Sequence, residues 1–477
     1  MDKTFLYDAV EKAADVLTAL SDRIWEYAEL SLEEFQSAAA YCDLLEAQGF
    51  QVEREVYGVK TAFTGSFGQG KPVIGILGEF DALSGLSQAP GVAEKQPLTA
   101  GGCGHGCGHN LLGAAALGAA IAVKEAIEAG KLTGTVVFYG CPGEEGCAGK
   151  AFMARDGAFR DLDAAITWHP GDVNEVSTGS NAASLQMIFS FTGIAAHAAG
   201  NPEQGRSALD AAELMNHGVQ YLREHMEAKC SVHYSYLDAG GRSPNVVQPT
   251  AKLCYMVRGE NVTKAKALLE RVKKIAQGAA MMTETQVSWH QVDGTASTLS
   301  NRVLEEVLQE NLSCAPLPAY SQADWDFAEA LKKTCPAGDL PGTLGPQAAE
   351  KRAFVEKMTD SGSRALNDFV MPYVPSDNFE RGSTDVGDVS WLTPTAQMNA
   401  VTWVSGCPGH SWQVVSMGKS GIAHKGMLYA AKALAGAAAD LMETPALLAK
   451  ARSEFEKEAA AGYDCPIGPE VVPTAQV

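Results

Sequence analysis

Short apolar runs alternate with helix-period stretches through the first part of the chain. Residues 41–49 read as the end of a helix leading into "FQVEREV", which alternates like a strand. The apolar run 73–77 stops at Gly78 and opens into Glu79, Phe80 and Asp81. The run 136–139 leads into "GCPGEEGCAGK", which delivers Glu144 and Glu145, and "DAAITWHP" ends its run in His169. Between these runs lie helical stretches such as "NLLGAAALGAAIAVKEAIEAG". Short apolar runs separated by helices predict parallel strands buried on both faces. Functional groups in such sheets collect beyond the carboxyl ends of the strands. Asp81, Glu144, Glu145 and His169 all fall at that kind of position.

From 183 to 294 the pattern changes to strand, helix, strand, strand, helix, strand. This βαββαβ order predicts a ferredoxin-like unit with its own antiparallel sheet. The expected organisation is an α/β catalytic domain with a mainly parallel sheet, formed by residues 1–182 and 297–477, with a lid or dimerisation domain inserted at 183–296. Residues 314–378 are rich in proline, glycine and charge, with short helical pieces such as "ADWDFAEALKKT", and their pattern assigns them no role. The helix predicted for "AHKGMLYAAKALAGAAADLME" is expected to pack on the first part of the chain.

A length of 477 residues exceeds the usual limit of one hydrophobic core and agrees with two domains. With 46% hydrophobic and 20% charged residues the composition is that of a soluble globular protein. A formal charge of −20, from 57 acidic against 37 basic residues, repels phosphate backbones and anionic membranes. Nucleic acid and membrane are therefore not expected as partners. The N-terminus carries charges throughout, unlike a signal peptide, and no stretch reads as a membrane span. Eleven cysteines without regular spacing read as reduced thiols. The expectation is a cytoplasmic enzyme.

The decapeptide "GGCGHGCGHN" spells Cys-Gly-His twice, as Cys103–His105 and Cys107–His109. A hydrolytic metal centre needs several His, Cys or carboxylate ligands and one carboxylate left free to activate water. Either pair offers a thiolate and an imidazole, and adjacent Glu144 and Glu145 diverge enough for one to bind metal while the other meets water. His169 and His410, in "SGCPGHSWQ", are further ligand candidates. A lone strand-end histidine is more often structural. Successive strand ends that each carry ligand-type side chains are not explained by core packing. A four-cysteine zinc site from Cys103, Cys107, Cys141 and Cys147 ranks lower, because it leaves Glu144, Glu145 and His169 unused. "MGKSG" lacks the upstream glycine of a phosphate-binding loop, Gln413 standing there instead. In the predicted lid, His197 precedes a helix capped by Ser207 with Asp210 three residues on. Asn245 falls in a turn, and Arg258 at a strand end is either a solvated terminus or a donor to a substrate carboxylate.

The segments "GEFDALSG", "GHGCGHNLLGAA", "GCPGEEGCAGK", "WHP", "AHAAGNPEQGRSALDAAELMN", "SPNVVQPTAK", "RGSTDVGDVSW" and "PGHSWQ" with "AHKGMLYAAKALA" span nearly the whole chain. Together they resemble the metal-dependent aminoacylase and glutamate-carboxypeptidase superfamily of amidohydrolases, and within it the B-type subunits of aminobenzoyl-glutamate hydrolases. The resemblance implies a metallopeptidase-like catalytic domain with a ferredoxin-like lid, and two divalent metal ions per chain, zinc or manganese. It implies that the second Cys-Gly-His is the functional one, with Cys107 as a thiolate that bridges or binds the metals and His109, Glu145, His169 and His410 as ligands. His424 is a rival to His410. It further implies Glu144 as general base, Asp81 as a support behind the ligands, and His197 as a lid histidine acting in a partner's site. Asn245 and Arg258 resemble groups that hold the substrate's oxyanion or carboxylate, and Cys103 and His105 become loop residues.

The implied reaction is cleavage of the amide bond of N-acyl or N-aroyl amino acids, with p-aminobenzoyl-glutamate-like substrates favoured. Alternatives are a dipeptidase, an aliphatic N-acyl amino acid hydrolase, or a non-catalytic subunit of a hetero-oligomeric hydrolase. The implied assembly is a homodimer, or a heteromer with a related subunit. Three departures stand out: Asn110 where many relatives carry Asp, "GSTD" in place of a "GSED"-like segment, and the length of 314–378.

Overall fold

The computed structural model describes residues 1–336, 340–341 and 349–475. Strands β1 (Gln51–Arg54), β2 (Phe63–Gln69), β3 (Val73–Gly78), β4 (Gly134–Gly140), β5 (Ala164–Gly171) and β6 (Glu175–Val176) precede a second group, β7 (Ala183–Thr192), β8 (Ser231–Asp238), β9 (Thr250–Gly259) and β10 (Gln286–Thr295). The chain then returns to the first group with β11 (Thr395–Val401). The first group forms a seven-stranded sheet in the order β1-β2-β4-β3-β5-β11-β6. Its central strands β4, β3, β5 and β11 run parallel, while the pairs β1/β2, β2/β4 and β11/β6 are antiparallel. The apolar runs are the buried parallel strands, and the antiparallel pairs lie outside them.

The helix His109–Glu128 links β3 to β4 and is buried on nearly every face, being built largely of Ala, Gly, Leu and Ile. By length and mean hydropathy, 1.4, it reaches the range of a membrane span, which corrects the reading that no stretch does. In the fold 83% of that window is buried inside the protein. It packs on β3, β4 and β5 beside the helix Gly421–Glu443, which also lies on the sheet, and both belong to the largest apolar core together with the N-terminal helices. Its small residues permit close approach: a Cβ on Gly113 would stand 2.7 Å from the carbonyl of Glu79.

The second group, with helices Ala208–Arg223 and Val262–Thr283, forms a four-stranded antiparallel sheet in the order β10-β7-β9-β8 around a core of its own. Its elements follow one another as strand, helix, strand, strand, helix, strand, the βαββαβ order read from the sequence. Alternation along β9 puts Ala251, Leu253, Tyr255 and Val257 into that core. The Ser207 hydroxyl caps its helix by accepting from the Asp210 N–H at 3.0 Å. Strand β8 is an edge of this sheet and exposes Tyr234, Tyr236 and Leu237.

Candidate metal centre

Four neighbouring parallel strands deliver the candidate residues at one end of the sheet: Asp81 follows β3, Glu144 and Glu145 follow β4, His169 lies near the end of β5, and the loop to His410 follows β11. Residue 399 pairs with His169 across β11/β5, and the buried Trp168 indole donates to the Leu112 carbonyl at 2.9 Å, fixing β5 against the start of the core helix. Cys107 and His109 flank Gly108, whose φ of +78° only glycine adopts freely. A Cβ there would meet the Pro170 ring at 2.9 Å, so the glycine also lets the Cys107 loop lie against the His169 segment. The His410 N–H donates to the Gly106 carbonyl at 2.9 Å and ties the distant loop to the same place.

His109 is fully buried, and its Nδ1 meets Asp81 Oδ1 at 2.8 Å. An ionised Asp81 accepts the Nδ1 proton and turns Nε2 toward the cavity between the ligands. Asp81 also accepts from Ser31 Oγ at 2.8 Å and from the Glu145 N–H at 2.9 Å. Burial pushes Asp81 up, but the hydrogen bond and charge of His109, with those two donors, outweigh it and hold the carboxyl at about 2.

The ligand atoms of Cys107, His109 and His169 all lie within 4.8 Å of one another, and so do those of Cys107, Glu145 and His410. Cys107 Sγ stands 3.3 Å from His169 Nε2, and His410 Nε2 stands 3.3 Å from Glu145 Oε2. Zn–N near 2.1 Å and Zn–S near 2.3 Å at tetrahedral angles require ligand atoms roughly 3.3–3.7 Å apart. His109 Nε2 and Glu145 Oε1 are buried without a hydrogen-bond partner. Buried polar atoms are normally satisfied, so two such lone pairs turned into one small space fit a cation. A donor set of thiolate, imidazoles and carboxylate is one that a divalent transition-metal ion takes. Burial first, and then the charge of Glu145, push the Cys107 thiol up; a bound divalent cation reverses this, because a coordinating thiol gives up its proton.

Glu144 opens the short helix Glu144–Cys147 and lies with Glu79 and His109, the three ligand-type atoms within 4.8 Å of one another. Burial, then Glu79, Asp385 and Glu145, drive the Glu144 carboxyl well above the usual range. Behind it lies a group that the sequence pattern does not announce. Buried Lys150 places Nζ 2.7 Å from Glu79 Oε1 and 2.5 Å from Asp385 Oδ1. The Asp385 carboxylate also accepts from the Lys150 N–H at 2.8 Å. The only signal in the sequence is the polar set Glu79, Lys150 and Asp385 inside three of the conspicuous motifs. Lys150→Met leaves two buried carboxylates without their cation and is expected to cost about 3–5 kcal/mol of stability, measured by denaturant unfolding.

Several expectations are sorted by these contacts. His424 Nε2 pairs with Asp22 at 2.8 Å on the helix Gly421–Glu443, so His410 and not His424 joins the cluster. The Asn110 amide donates to Ser21 Oγ and to the Gly418 carbonyl, away from the ligands, so Asn at this position removes no metal donor. His105 is buried with Nε2 at 3.0 Å from the Ile24 carbonyl. Among the described residues, Cys107 alone of the four cysteines weighed for a zinc site belongs to a converging ligand group, and Cys147 Sγ turns to the Ser31 and Thr474 carbonyls.

His197, Asn245 and Arg258 lie in the second strand group and its loops, and His197 belongs to none of these ligand groups. His197 is exposed, and its Nδ1 accepts from the N–H groups of Ala199 and Gly200, which leaves Nε2 outward. Asn245 is exposed on the adjoining loop, its carbonyl accepting from the Ala198 N–H at 2.9 Å. Arg258 reaches the Arg381 carbonyl, in the "RGSTD" segment, at 3.4 Å, and its Nε is buried without a partner.

Residues 76–366 match the family described as peptidase family M20/M25/M40. The chain is 44% identical to the B-type subunit of p-aminobenzoyl-glutamate hydrolase from Escherichia coli (strain K12), over 98% of each chain. It is 26% identical to Xaa-Arg dipeptidase of Mus musculus, over 94% of this chain and 91% of the relative. Its fold matches that of a dinuclear metal-binding peptidase of the M20 family from Bacillus subtilis, with a TM-score of 0.54 and 17% identity, covering 91% of this chain and 99% of that one. The chain belongs to peptidase family M20/M25/M40 and is a metal-dependent amidohydrolase of that family.

Proposed function

We infer that the protein hydrolyses the amide bond between an acyl or aroyl group and an amino acid with a free carboxylate, p-aminobenzoyl-glutamate being the leading substrate, with two zinc or manganese ions per chain. The observation that carries this reading is that Cys107 Sγ belongs to two ligand groups at once, one with His109 and His169, the other with Glu145 and His410. Such ions, when bound, polarise a carbonyl and make water a nucleophile at neutral pH. The remaining work falls to the chain's own side chains. Glu144 takes a proton from the attacking water and returns it to the leaving amine. Asp81 holds His109 in the tautomer that presents Nε2. His197 stabilises the oxyanion from the lid of a neighbouring copy, and Asn245 and Arg258 receive the substrate's oxyanion or carboxylate.

The exposed His197 side chain and the apolar edge strand β8 support a homodimer through the lid. The 44% identical relative is named as one of the subunits of its hydrolase, which supports a heteromer as the other possible assembly. The charge and composition support a cytoplasmic location. An intact Glu144 and a full ligand set count against a non-catalytic subunit. His197→Ala is expected to lower kcat about 10²–10³-fold with metal content unchanged, since loss of one oxyanion donor has that effect. An unchanged rate would return His197 to the surface of the lid.

The full-length similarity to Xaa-Arg dipeptidase favours a dipeptidase as the second reading. Steady-state hydrolysis of p-aminobenzoyl-glutamate, N-acetyl-glutamate and an Xaa-Arg dipeptide by the manganese- or zinc-loaded chain separates the two. The aroyl substrate is expected to have the highest kcat/KM, and a higher value for the dipeptide would replace the first reading with the second.

A further inference from the structure

A cavity of about 300 Å³ opens on His169 and is bounded by the β6 segment, residues 298–305, residues 374–399 and Lys351. We propose that this cavity receives the acyl half of the substrate and selects an acyl group carrying an amine, with Glu175, Glu305 and Lys351 as specificity-determining residues. The proposal deepens the amidohydrolase reading above and rests on it.

Position assigns the half. A substrate whose scissile carbonyl lies at the ligand cluster sends its two halves away in different directions. Among the described residues, none of β7–β10 or of their connections lines the cavity, so the half that enters it is not the one that meets Asn245 and Arg258 of the lid. Electrostatics agrees. Besides His169, the charged groups among the described wall residues are Glu175, Glu305 and Glu380 against Lys351 alone. Lys351 Nζ lies 2.5 Å from Glu175 Oε2, both side chains being buried, so this cation is already matched. Glu305 is 2% exposed and accepts from the Tyr373 hydroxyl at 2.7 Å. A substrate carboxylate entering here would lie among three carboxyl groups in a desolvated space whose one lysine is already matched. An amine would meet carboxylate, hydroxyl and amide acceptors instead, including those of Thr178 and Ser300.

Size narrows the class further. Small-molecule sites span about 300–1,000 Å³, and this one lies at the lower end, suited to an aryl or aminoacyl group rather than a long acyl chain. Lys351 comes from the helix Ala349–Met358, in the stretch to which the sequence pattern assigns no role. That helix is held against Val173, just before β6, by a cluster of Val355, Phe369 and Met371. The helix Ala349–Met358 thereby acquires a function, bounding the acyl side of the site.

The test uses the metal-loaded full chain and two readouts. The first is calorimetric binding of p-aminobenzoate, benzoate and terephthalate. The second is kcat/KM for 4-aminobenzoyl-, benzoyl- and 4-carboxybenzoyl-glutamate, with an aminoacyl-glutamate dipeptide to separate an arylamine from an α-ammonium group. We expect p-aminobenzoate to bind at least tenfold more tightly than terephthalate, and the kinetic series to follow the same order. Glu305→Gln should narrow that ratio and Lys351→Met should widen it, opposite signs that a general loss of folding cannot produce. Equal binding of the three acids by the unaltered chain overturns the proposal without recourse to any variant. Hydrolysis of all three glutamates at similar rates overturns it while leaving the amidohydrolase reading intact. The expected binding order without hydrolysis of any of them leaves the cavity assignment standing and removes the activity.

Discussion

Glu144→Gln is expected to lower kcat for p-aminobenzoyl-glutamate by about 10³-fold or more, while two ions per chain remain bound. General acid–base catalysis is worth roughly 10²–10⁴-fold, and a thousandfold loss corresponds to about 4 kcal/mol of barrier. The two ligand groups that share Cys107 do not include Glu144, so its loss removes no donor from them. Its carboxylate lies with Glu79 and with His109, a member of the ligand cluster, their ligand-type atoms within 4.8 Å of one another. Glutamine keeps the volume and one acceptor but cannot take a proton, so binding survives and proton transfer does not. Metal content by atomic emission and single-turnover rates on the same sample check both halves of the expectation. Retained turnover would exclude Glu144 as the base.

Cys107→Ser is expected to weaken metal binding about 100-fold or more, because one sulfur serves both ligand groups and serine offers a neutral, poorly coordinating oxygen. Removing a group that merely supports a ligand already costs roughly 10–100-fold in affinity, which sets the lower bound for losing a shared ligand. The thermal stabilisation that added metal confers on the unaltered chain should disappear in the same variant, since ligand binding stabilises only in proportion to occupancy. Cys103→Ser should behave as the unaltered chain in both measurements, its side chain lying outside both groups. The opposite pattern, metal lost with Cys103 and kept with Cys107, would move the centre to the first Cys-Gly-His.

Strands β3, β4 and β5 were legible because each is a short apolar run that leads into ligand-type residues, whereas β11 carries polar Gln397 and Asn399 and shows no such run. The position of His169 two residues inside the end of β5, and not at it, follows from Pro170 and Gly171 continuing the ladder with β11, a pairing that joins residues far apart in sequence. The choice of His410 over His424 is likewise set by a tertiary contact: the His410 N–H is tied to Gly106, and the His424 ring to Asp22. Neither partner is local to its histidine.

The Glu79–Lys150–Asp385 group stayed hidden for the same reason. Each residue looks like an ordinary polar position in its own segment, and only folding brings a cation between two carboxylates in a desolvated space. The core helix His109–Glu128 has the length and composition of a membrane span, and what distinguishes it is a coat of neighbouring helices and strands. Asn110 reads as a lost ligand beside His109, yet one step along a helix turns a side chain by about 100° and aims this one at Ser21.

Metal dependence of the amide hydrolysis is tested by titrating the chelator-stripped chain, following release of p-aminobenzoate from p-aminobenzoyl-glutamate as manganese or zinc is added to known stoichiometry. No release is expected from the stripped chain, followed by a rise to a plateau at two ions per chain, with no second subunit required. Release that persists after complete removal of metal, or its failure at full metal loading, would contradict that expectation.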